Sequence, residues 1–409
     1  MDARKKENLG YKRAFLDLGK QPLANGFLKT EEEFGKEFFF NLGISFAEEV
    51  GLVTLSEYVD PPKMFHENYA YVASQSQTMK AHFKKLAEQL KSSFSLNSTS
   101  RVLEIGSNDG IFIGLFRDSV STAVEPCGNF ARLTEELGIK TFSEFWSKEL
   151  SEKLVEERGR QDIIFAANCM CHIPSIVEAF EAVSAAISDE GVFIFEDPTL
   201  LHVLQRGSYD QFYDEHAHIF SLTALKQLLT IAGLKVFHVE NLDVHGGSMR
   251  LYASKASSSH KINPSVDDQL LLEKFYGLGH FSTYEFFAEK VHASKRLLVK
   301  LISSVRDRGI PVVAYGATSK STTVFNFCEI GSGEVECIFD TTPGKQGTFS
   351  PGVHIPVKEY TQEWFRHFPK TPFAFLGAWN FVNEIKSKEA AFLASEGAFF
   401  THVPYVSIL

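Results

Sequence analysis

The sequence predicts an α/β protein with two Rossmann-like units, the second smaller than the first, behind a small N-terminal module. Apolar strands "RVLEIG", "STAVEP", "DIIFAAN" and "GVFIFED" alternate with amphipathic helical segments between residues 101 and 197. That is the pattern of a mostly parallel sheet covered on both faces. A second alternation, "IPVVAYGATSKSTTV", "EVECIFD", "PFAFLGAW" and "FFTHVPY", begins near residue 310. The chain has 409 residues, too many for one ordinary core, and its 38 phenylalanines within a 44% hydrophobic composition can fill several.

Residues 1–72 contain only short candidate strands such as "GLVTL" (51–55), a "DPP" turn and the aromatic segment "MFHENYAYV", so they are read as the N-terminal module. Helical spacing of Met79, Phe83, Leu86 and Leu90 predicts a helix over 76–92 that opens the first α/β unit, residues 73–256. Within that unit helices are expected near 110–118, 128–137 and 175–188. A hairpin of 234–242 with 248–255, joined across "DVHGG", closes the edge of the sheet. The Ser-rich joint "SKASSSHKINPS" and a long helix from about 283 to 307 lead out of it, with 257–300 as a helical connection and 301–409 as the second Rossmann-like unit.

The formal charge of −10 and the lack of an extended basic stripe give no electrostatic grip on nucleic acid or an anionic membrane. No apolar run is long enough to span a bilayer, and the N-terminus has no signal-like apolar stretch, so a cytoplasmic protein with small-molecule partners is expected. Five scattered cysteines (Cys127, Cys169, Cys171, Cys328, Cys337) suit reduced thiols. The pair in "CMC" reads as small apolar residues rather than half of a metal site.

The loop "VLEIGSNDG" follows a buried strand directly, and Gly106 and Gly110 let the backbone turn sharply and approach a ligand. Its spacing is not the Gly-x-Gly-x-x-Gly that rests a pyrophosphate on a helix. Glu104 would repel phosphate yet suit the cationic end of S-adenosylmethionine (SAM), which carries a sulfonium and an ammonium group. Glu125 ends the next strand, nineteen residues past Gly106, where a carboxylate can accept both ribose hydroxyls. With Asn108 in the loop and Asn168 at the end of a later strand, these residues point to SAM as the cofactor.

The segment "YDEHAHIF" (213–220) follows the strand "VFIFEDP", placing it near the carboxyl edge of the sheet, where ligands of such folds bind. His216 is the candidate base, Glu215 the carboxylate that assists it, and Tyr213 a neutral donor to a substrate carbonyl on which charge develops. These parts suit deprotonation of a carbon next to a ketone. A metal held by His216 and His218 with Asp214 or Glu215 is the competing reading, and a structural role is expected for His218. In "DVHGGSMR", His245 and Arg250 are candidates to face the pocket, although a plain hairpin turn also explains Gly246 and Gly247. In the second unit Gly316, Thr318, Ser319, Lys320 and Thr323 gather at a helix start, and Lys345 lies in the turn after the next strand. Together they are expected to hold a diphosphate, without the spacing of an NTP-hydrolysing loop.

Taken with "FLDLG", "QPLAN", "MFHENYAY", "AANCMCHIP", "FEDP", "YDQFYDEHAHIFS", "YGATSKSTT", "DTTPGKQG" and "PGVHIPV", these motifs resemble, in order and over nearly the whole chain, the SAM-dependent sugar C-methyltransferases that act on nucleotide-linked 4-keto deoxysugars. The resemblance implies an N-terminal zinc-binding module, a central SAM-methyltransferase domain, and a C-terminal Rossmann-like domain with the nucleotide sugar held in the cleft. It also implies a tyrosine of "YAY", Tyr69 or Tyr71, at the reacting carbon, and it adds His172 to the cofactor set. One departure is large. At the positions of the four zinc-ligating cysteines this chain has Lys5, Asn8, Ala47 and Val50. No structural zinc is therefore expected, and the module must fold by packing. The expected activity is methylation at C3 of a nucleoside-diphosphate 4-keto-6-deoxyhexose. An O-methyltransferase of another small metabolite and a catalytically silent nucleotide-sugar-binding protein are the alternatives. Oligomeric state, nucleotide base and sugar stereochemistry are not fixed by the sequence.

Overall fold

The computed structural model describes residues 9–67, 69 and 71–409, with His245 described by its backbone alone. Three strands open the chain: β1 (Lys12–Pro22), β2 (Phe39–Ala47) and β3 (Leu52–Leu55), paired antiparallel in sequence order. The central unit contributes β4 (Arg101–Ile105), β5 (Val120–Val124), β6 (Lys140–Phe142), β7 (Gln161–Ala167) and β8 (Ile187–Pro198), all parallel, because helices carry the chain back between them. A two-residue strand follows, β9 (His218–Ile219), and then the hairpin of β10 (Leu234–Leu242) and β11 (Ser248–Lys255), with the boundaries expected from alternation.

The central sheet runs β10-β11-β8-β7-β4-β5-β6. Strands progress outward from β4 through β6 and then restart on its other side with β7. The order therefore reverses between β4 and β7, where the loops after both strands part and leave a crevice for a ligand. The expected helices appear as Gln77–Ser93, Gly128–Glu136 and Ile176–Ala186, and the connection contains Pro264–Phe275 and Phe281–Arg306. The helix expected near 110–118 is only a 3-10 turn, Ile113–Phe116. Phe112, Ile113 and Phe116 are all fully buried there, so the segment has no polar face to present as an amphipathic helix. Strand β6 and the helix Lys148–Arg158 were not anticipated.

The C-terminal sheet is built from β12 (Val312–Tyr315), β13 (Ile338–Asp340), β14 (Val357–Glu359), β15 (Phe373–Leu376), β16 (Ala398–Thr401) and β17 (Ser407–Ile408), in the order β14-β13-β12-β15-β16-β17. It has the same reversal beside its first strand, and only β17 runs antiparallel. Thus the second unit also opens a crevice beside the loop after β12.

The N-terminal sheet has no core of its own. β9, within the segment 213–220, adds to β3 as a fourth strand, with Val53 opposite Ile219 and Thr54 opposite His218. Leu16 and Phe46 share a core with Tyr284 and Phe287 of the long helix and with Val324 and Phe325 of the C-terminal unit. The Phe46 and Tyr284 rings are 4.4 Å apart. Ala47 is wholly buried and, with Val50 against it, packs into the core of the central unit. Neither side chain has a lone pair to give a metal, so these two positions do not fit a zinc ion; Lys5 and Asn8 lie outside the described residues.

Arg250 is a correction to the sequence reading. The register sets it opposite Glu196 on β8 and Glu240 on β10. Its Nε lies 2.6 Å from Glu196 and its Nη1 2.7 Å from Glu240, while His82 meets the other Glu196 oxygen at 2.6 Å. The guanidinium binds the sheet to the helix Gln77–Ser93 rather than facing a substrate. Replacing Arg250 with alanine would strand a buried carboxylate and should destabilise the fold by about 3–5 kcal/mol in urea unfolding. A loss below about 1 kcal/mol would contradict a buried structural pair. Chelation with EDTA should leave Tm unchanged, because packing rather than metal holds the N-terminal sheet. A marked fall in Tm would reveal a structural ion.

Candidate active site

A cavity of about 530 Å³ opens at the crevice between β4 and β7. Gly106, Asn108, Glu125, Asn168 and His172 line it, together with Tyr69, Tyr71, Phe65 and Trp146. Gly106 has φ +71°, and a Cβ there would come within 2.8 Å of the Cys169 Cβ, so only glycine lets the loop turn this tightly. Gly110, at φ +75°, sits against Thr134 and Leu137 and holds the loop to the following helix.

The acidic residues are already engaged by backbone. Glu125 accepts the N–H groups of Asn108 at 2.7 Å and Cys127 at 2.8 Å, which leaves each oxygen a further lone pair for a hydroxyl. Burial raises its pKa, against the pull of those two N–H groups. Glu104 accepts the Ile113 N–H at 2.9 Å, and burial pushes its carboxyl well above the usual range. Asn108 departs from expectation: its amide accepts from Ala73 N–H at 2.9 Å and donates to the Tyr71 carbonyl at 3.0 Å. It latches the 71–73 segment over the loop instead of presenting its amide to a ligand. The cavity residues fit SAM. The buried Ser107 Oγ has no hydrogen-bond partner among the described residues, and the glycine loop keeps its wall free of a Cβ.

The quoted segment folds back onto this cavity. The Tyr213 hydroxyl lies 2.7 Å from His216 Nε2, and His216 Nδ1 lies 2.7 Å from the Gln211 carbonyl. A carbonyl only accepts, so Nδ1 carries the proton and Nε2 faces the tyrosine as a base. The ring is thus oriented by backbone and not by Glu215, as the sequence reading had it. Glu215 instead accepts from Asn25 Nδ2 at 2.7 Å and from the Tyr69 hydroxyl at 2.9 Å. Burial raises the pKa of Glu215, Tyr213 and Tyr69 alike, which keeps both tyrosines neutral donors. Of the two tyrosines in "YAY", Tyr69 bonds to Glu215, while Tyr71 stands half-exposed at the cavity wall, near enough to Tyr213 to act on it electrostatically.

His172 joins the cavity to this cluster. Its ring stacks between Phe65 at 5.3 Å and His216 at 5.4 Å, and burial holds its pKa down at about 3. His218 takes no part. Its Nε2 faces the Ile173 and Pro174 carbonyls at 3.2 Å from within β9, so it does not converge with His216 on a metal.

From the other side come the lysines of the C-terminal unit. Lys320 and Lys345 are half-buried and close enough for their charges to favour ionised Glu215, while desolvation lowers the pKa of both. Lys345 donates to the Ala317 carbonyl at 2.7 Å. Gly316, at φ +94°, turns the chain into the helix Ser319–Cys328, and Thr318 caps it by accepting the Ser321 N–H at 3.0 Å. Thr323 is a correction, because its hydroxyl donates to the Ser319 carbonyl inside the helix and does not reach the mouth. The His245 side chain lies outside the described residues. Its neighbour Gly246 is a packing residue: a Cβ there would meet the Trp379 ring at 2.4 Å.

Sequence reasoning missed Asn25, which belongs to the quoted "QPLAN" turn, and the Gln211 carbonyl. It also missed Asp210, buried beneath them, which accepts from Trp379 Nε1 at 2.6 Å and pairs with His402 at 3.4 Å. An Asn after a Pro-Leu-Ala turn was the available signal for the first; a carbonyl leaves none.

The two neutral histidines, His218 buried and His172 half-buried, set a pH dependence. His172 and His218 titrate near 6.5 when unfolded but are held at about 3 and about 4 in the fold. At these two residues the unfolded chain therefore binds more protons below about pH 6.5, so each histidine contributes a loss of about 1.4 kcal/mol per unit as pH drops from there toward about 4, while the buried carboxyls of Glu104, Asp214 and Glu215, raised in the fold, contribute in the opposite direction. In urea unfolding, the stability difference between the wild-type protein and His218→Gln should shift against the wild type by about 1.4 kcal/mol per unit as pH falls across this window; a difference independent of pH would contradict it.

Three family models match successive parts of the chain. Residues 10–65 match a putative zinc binding domain, 76–239 a methyltransferase domain, and 243–404 a C-methyltransferase C-terminal domain. The C-methyltransferase NovU of Streptomyces niveus is 32% identical over 391 residues, covering 95% of this chain and 92% of that protein. Among solved structures, a SAM-dependent methyltransferase of Clostridium acetobutylicum aligns at 13% identity and TM-score 0.34, over 42% of this chain and 92% of that one. The magnesium protoporphyrin IX methyltransferase of Synechocystis with bound SAM aligns at 10% identity and TM-score 0.34, over 43% and 79%. The chain belongs to the SAM-dependent C-methyltransferase family.

Proposed function

We propose that this enzyme methylates C3 of a nucleoside-diphosphate 4-keto-6-deoxyhexose in the cytoplasm, as a step of branched deoxysugar biosynthesis. One observation carries the reading: the Tyr213–His216 pair adjoins the SAM cavity through His172, while Glu215 beside it lies under the charges of Lys320 and Lys345. A ketone-activated carbon next to SAM and a diphosphate near the second unit would satisfy both halves. NovU, a C-methyltransferase by name, supports methylation at carbon.

SAM, when bound, supplies an electrophilic methyl group. The chain's own residues have the harder task of making the carbon a nucleophile. His216, with its proton fixed on Nδ1, receives the C3 proton at Nε2. Tyr213 must first give up its bond to that nitrogen, and its hydroxyl then turns to the ketone oxygen as negative charge grows there. Glu215 and Tyr69 hold the sugar's polar face, and their bond to each other keeps both in place before substrate arrives. Lys320 and Lys345 neutralise the diphosphate, aided by the N–H groups at the start of Ser319–Cys328. Phe65 and Trp146 exclude water from the cavity.

His216→Gln is the direct test of the base. Methyl transfer should fall by about 10²–10⁴-fold with the Kd for SAM unchanged. Near-normal turnover in this variant would remove His216 from the role.

A further inference from the structure

We propose that Cys171, His172 and His216 form a site for a thiophilic divalent cation such as Zn²⁺, which inhibits the enzyme by capturing its base. The inhibitory consequence rests on His216 being that base; the binding does not. The sulfur and one ring nitrogen of each histidine lie within 4.8 Å of one another. Ligand atoms on a tetrahedral zinc, with bonds of about 2.0–2.3 Å, stand on the order of 3.5 Å apart, so small side-chain rotations complete the set. The Cys171 thiol is held by Asp197 and His216 Nε2 by Tyr213, so each turns from that partner to bind. His172 Nε2 is buried without a hydrogen-bond partner among the described residues, and its neutral ring is the form that ligates.

The three ligands come from two segments that the fold locks together. Cys171 and His172 share the turn after β7, where the Cys171 N–H donates to Asp197 at 3.2 Å. His216 is set by the Gln211 carbonyl on the far side. With Nδ1 so engaged, the metal bond must form at Nε2, where the cation replaces the Tyr213 hydroxyl. Coordination forms a sulfur–metal bond as the Cys171 S–H bond breaks and its proton leaves to solvent. The route in is the cofactor cavity, since His172 lines its wall. This set is distinct from the N-terminal positions that a zinc-binding module would use, which lack donors at Ala47 and Val50.

Cobalt reports such a site independently of turnover. One equivalent of Co²⁺ added to the full-length protein should produce a thiolate-to-cobalt charge-transfer band. Cys171→Ser, which keeps a small hydroxyl donor beside Asp197, should abolish the band, whereas Cys337→Ser should retain it. In His216→Gln, with the thiol intact, the apparent Co²⁺ affinity should fall at least tenfold. No band in the wild-type protein, a band that survives in Cys171→Ser, or unchanged affinity in His216→Gln would overturn the assignment. If the band behaves as expected but Zn²⁺ leaves methyl transfer untouched, the site stands and the inhibitory role, with His216 as base, fails.

Discussion

A single backbone carbonyl decides which nitrogen of His216 can act. By accepting from Nδ1, Gln211 leaves Nε2 as the basic atom, the one on which the proposed role of His216 rests. The carbonyl itself is held because the preceding residue, Asp210, is anchored to the C-terminal unit by Trp379 and His402. The tautomer of the base thus depends on how two domains dock. Gly246 serves the same contact from the central unit, since its missing Cβ is what lets the hairpin turn approach Trp379.

Desolvation is the second theme of the site. Asp214 and Glu215 are adjacent buried carboxyls, both pushed upward by burial, and they persist because each is met by donors: the Ala24 N–H for one, Asn25 and Tyr69 for the other. All three donors come from the N-terminal part of the chain. The module therefore does more than cover a surface. Its first turn donates to the buried carboxyls of Asp214 and Glu215, and its sheet takes β9 as a strand, so the segment 213–220 is fixed at both ends. A module with these contacts can dispense with a metal at Ala47 and Val50, because neighbouring cores replace the ion as its source of stability.

Much of this was legible in the sequence where chemistry and chain order coincide. Tyr213 and His216 are three residues apart, and the alternation of β10 and β11 gives their boundaries directly. The same register, taken one step further, pairs Glu240 with Arg250 and would have exposed Arg250 as a structural ion pair. What could not be read were contacts made across the chain. Glu215 meets Asn25 over 190 residues, and no local pattern encodes that. The Ile113–Phe116 turn differs for another reason: a run of apolar residues without polar ones between them has no periodicity to distinguish helix from tight turn.

In the proposed reaction the acceptor is a carbon acidified by a neighbouring ketone. The most direct measurement is incubation with ¹³C-methyl SAM and a panel of nucleoside-diphosphate 4-keto-6-deoxyhexoses, with the product followed by NMR. A labelled methyl bonded to the carbon next to the ketone is the predicted result. A labelled methyl on oxygen, or no transfer to any member of the panel while SAM binds normally, would contradict it.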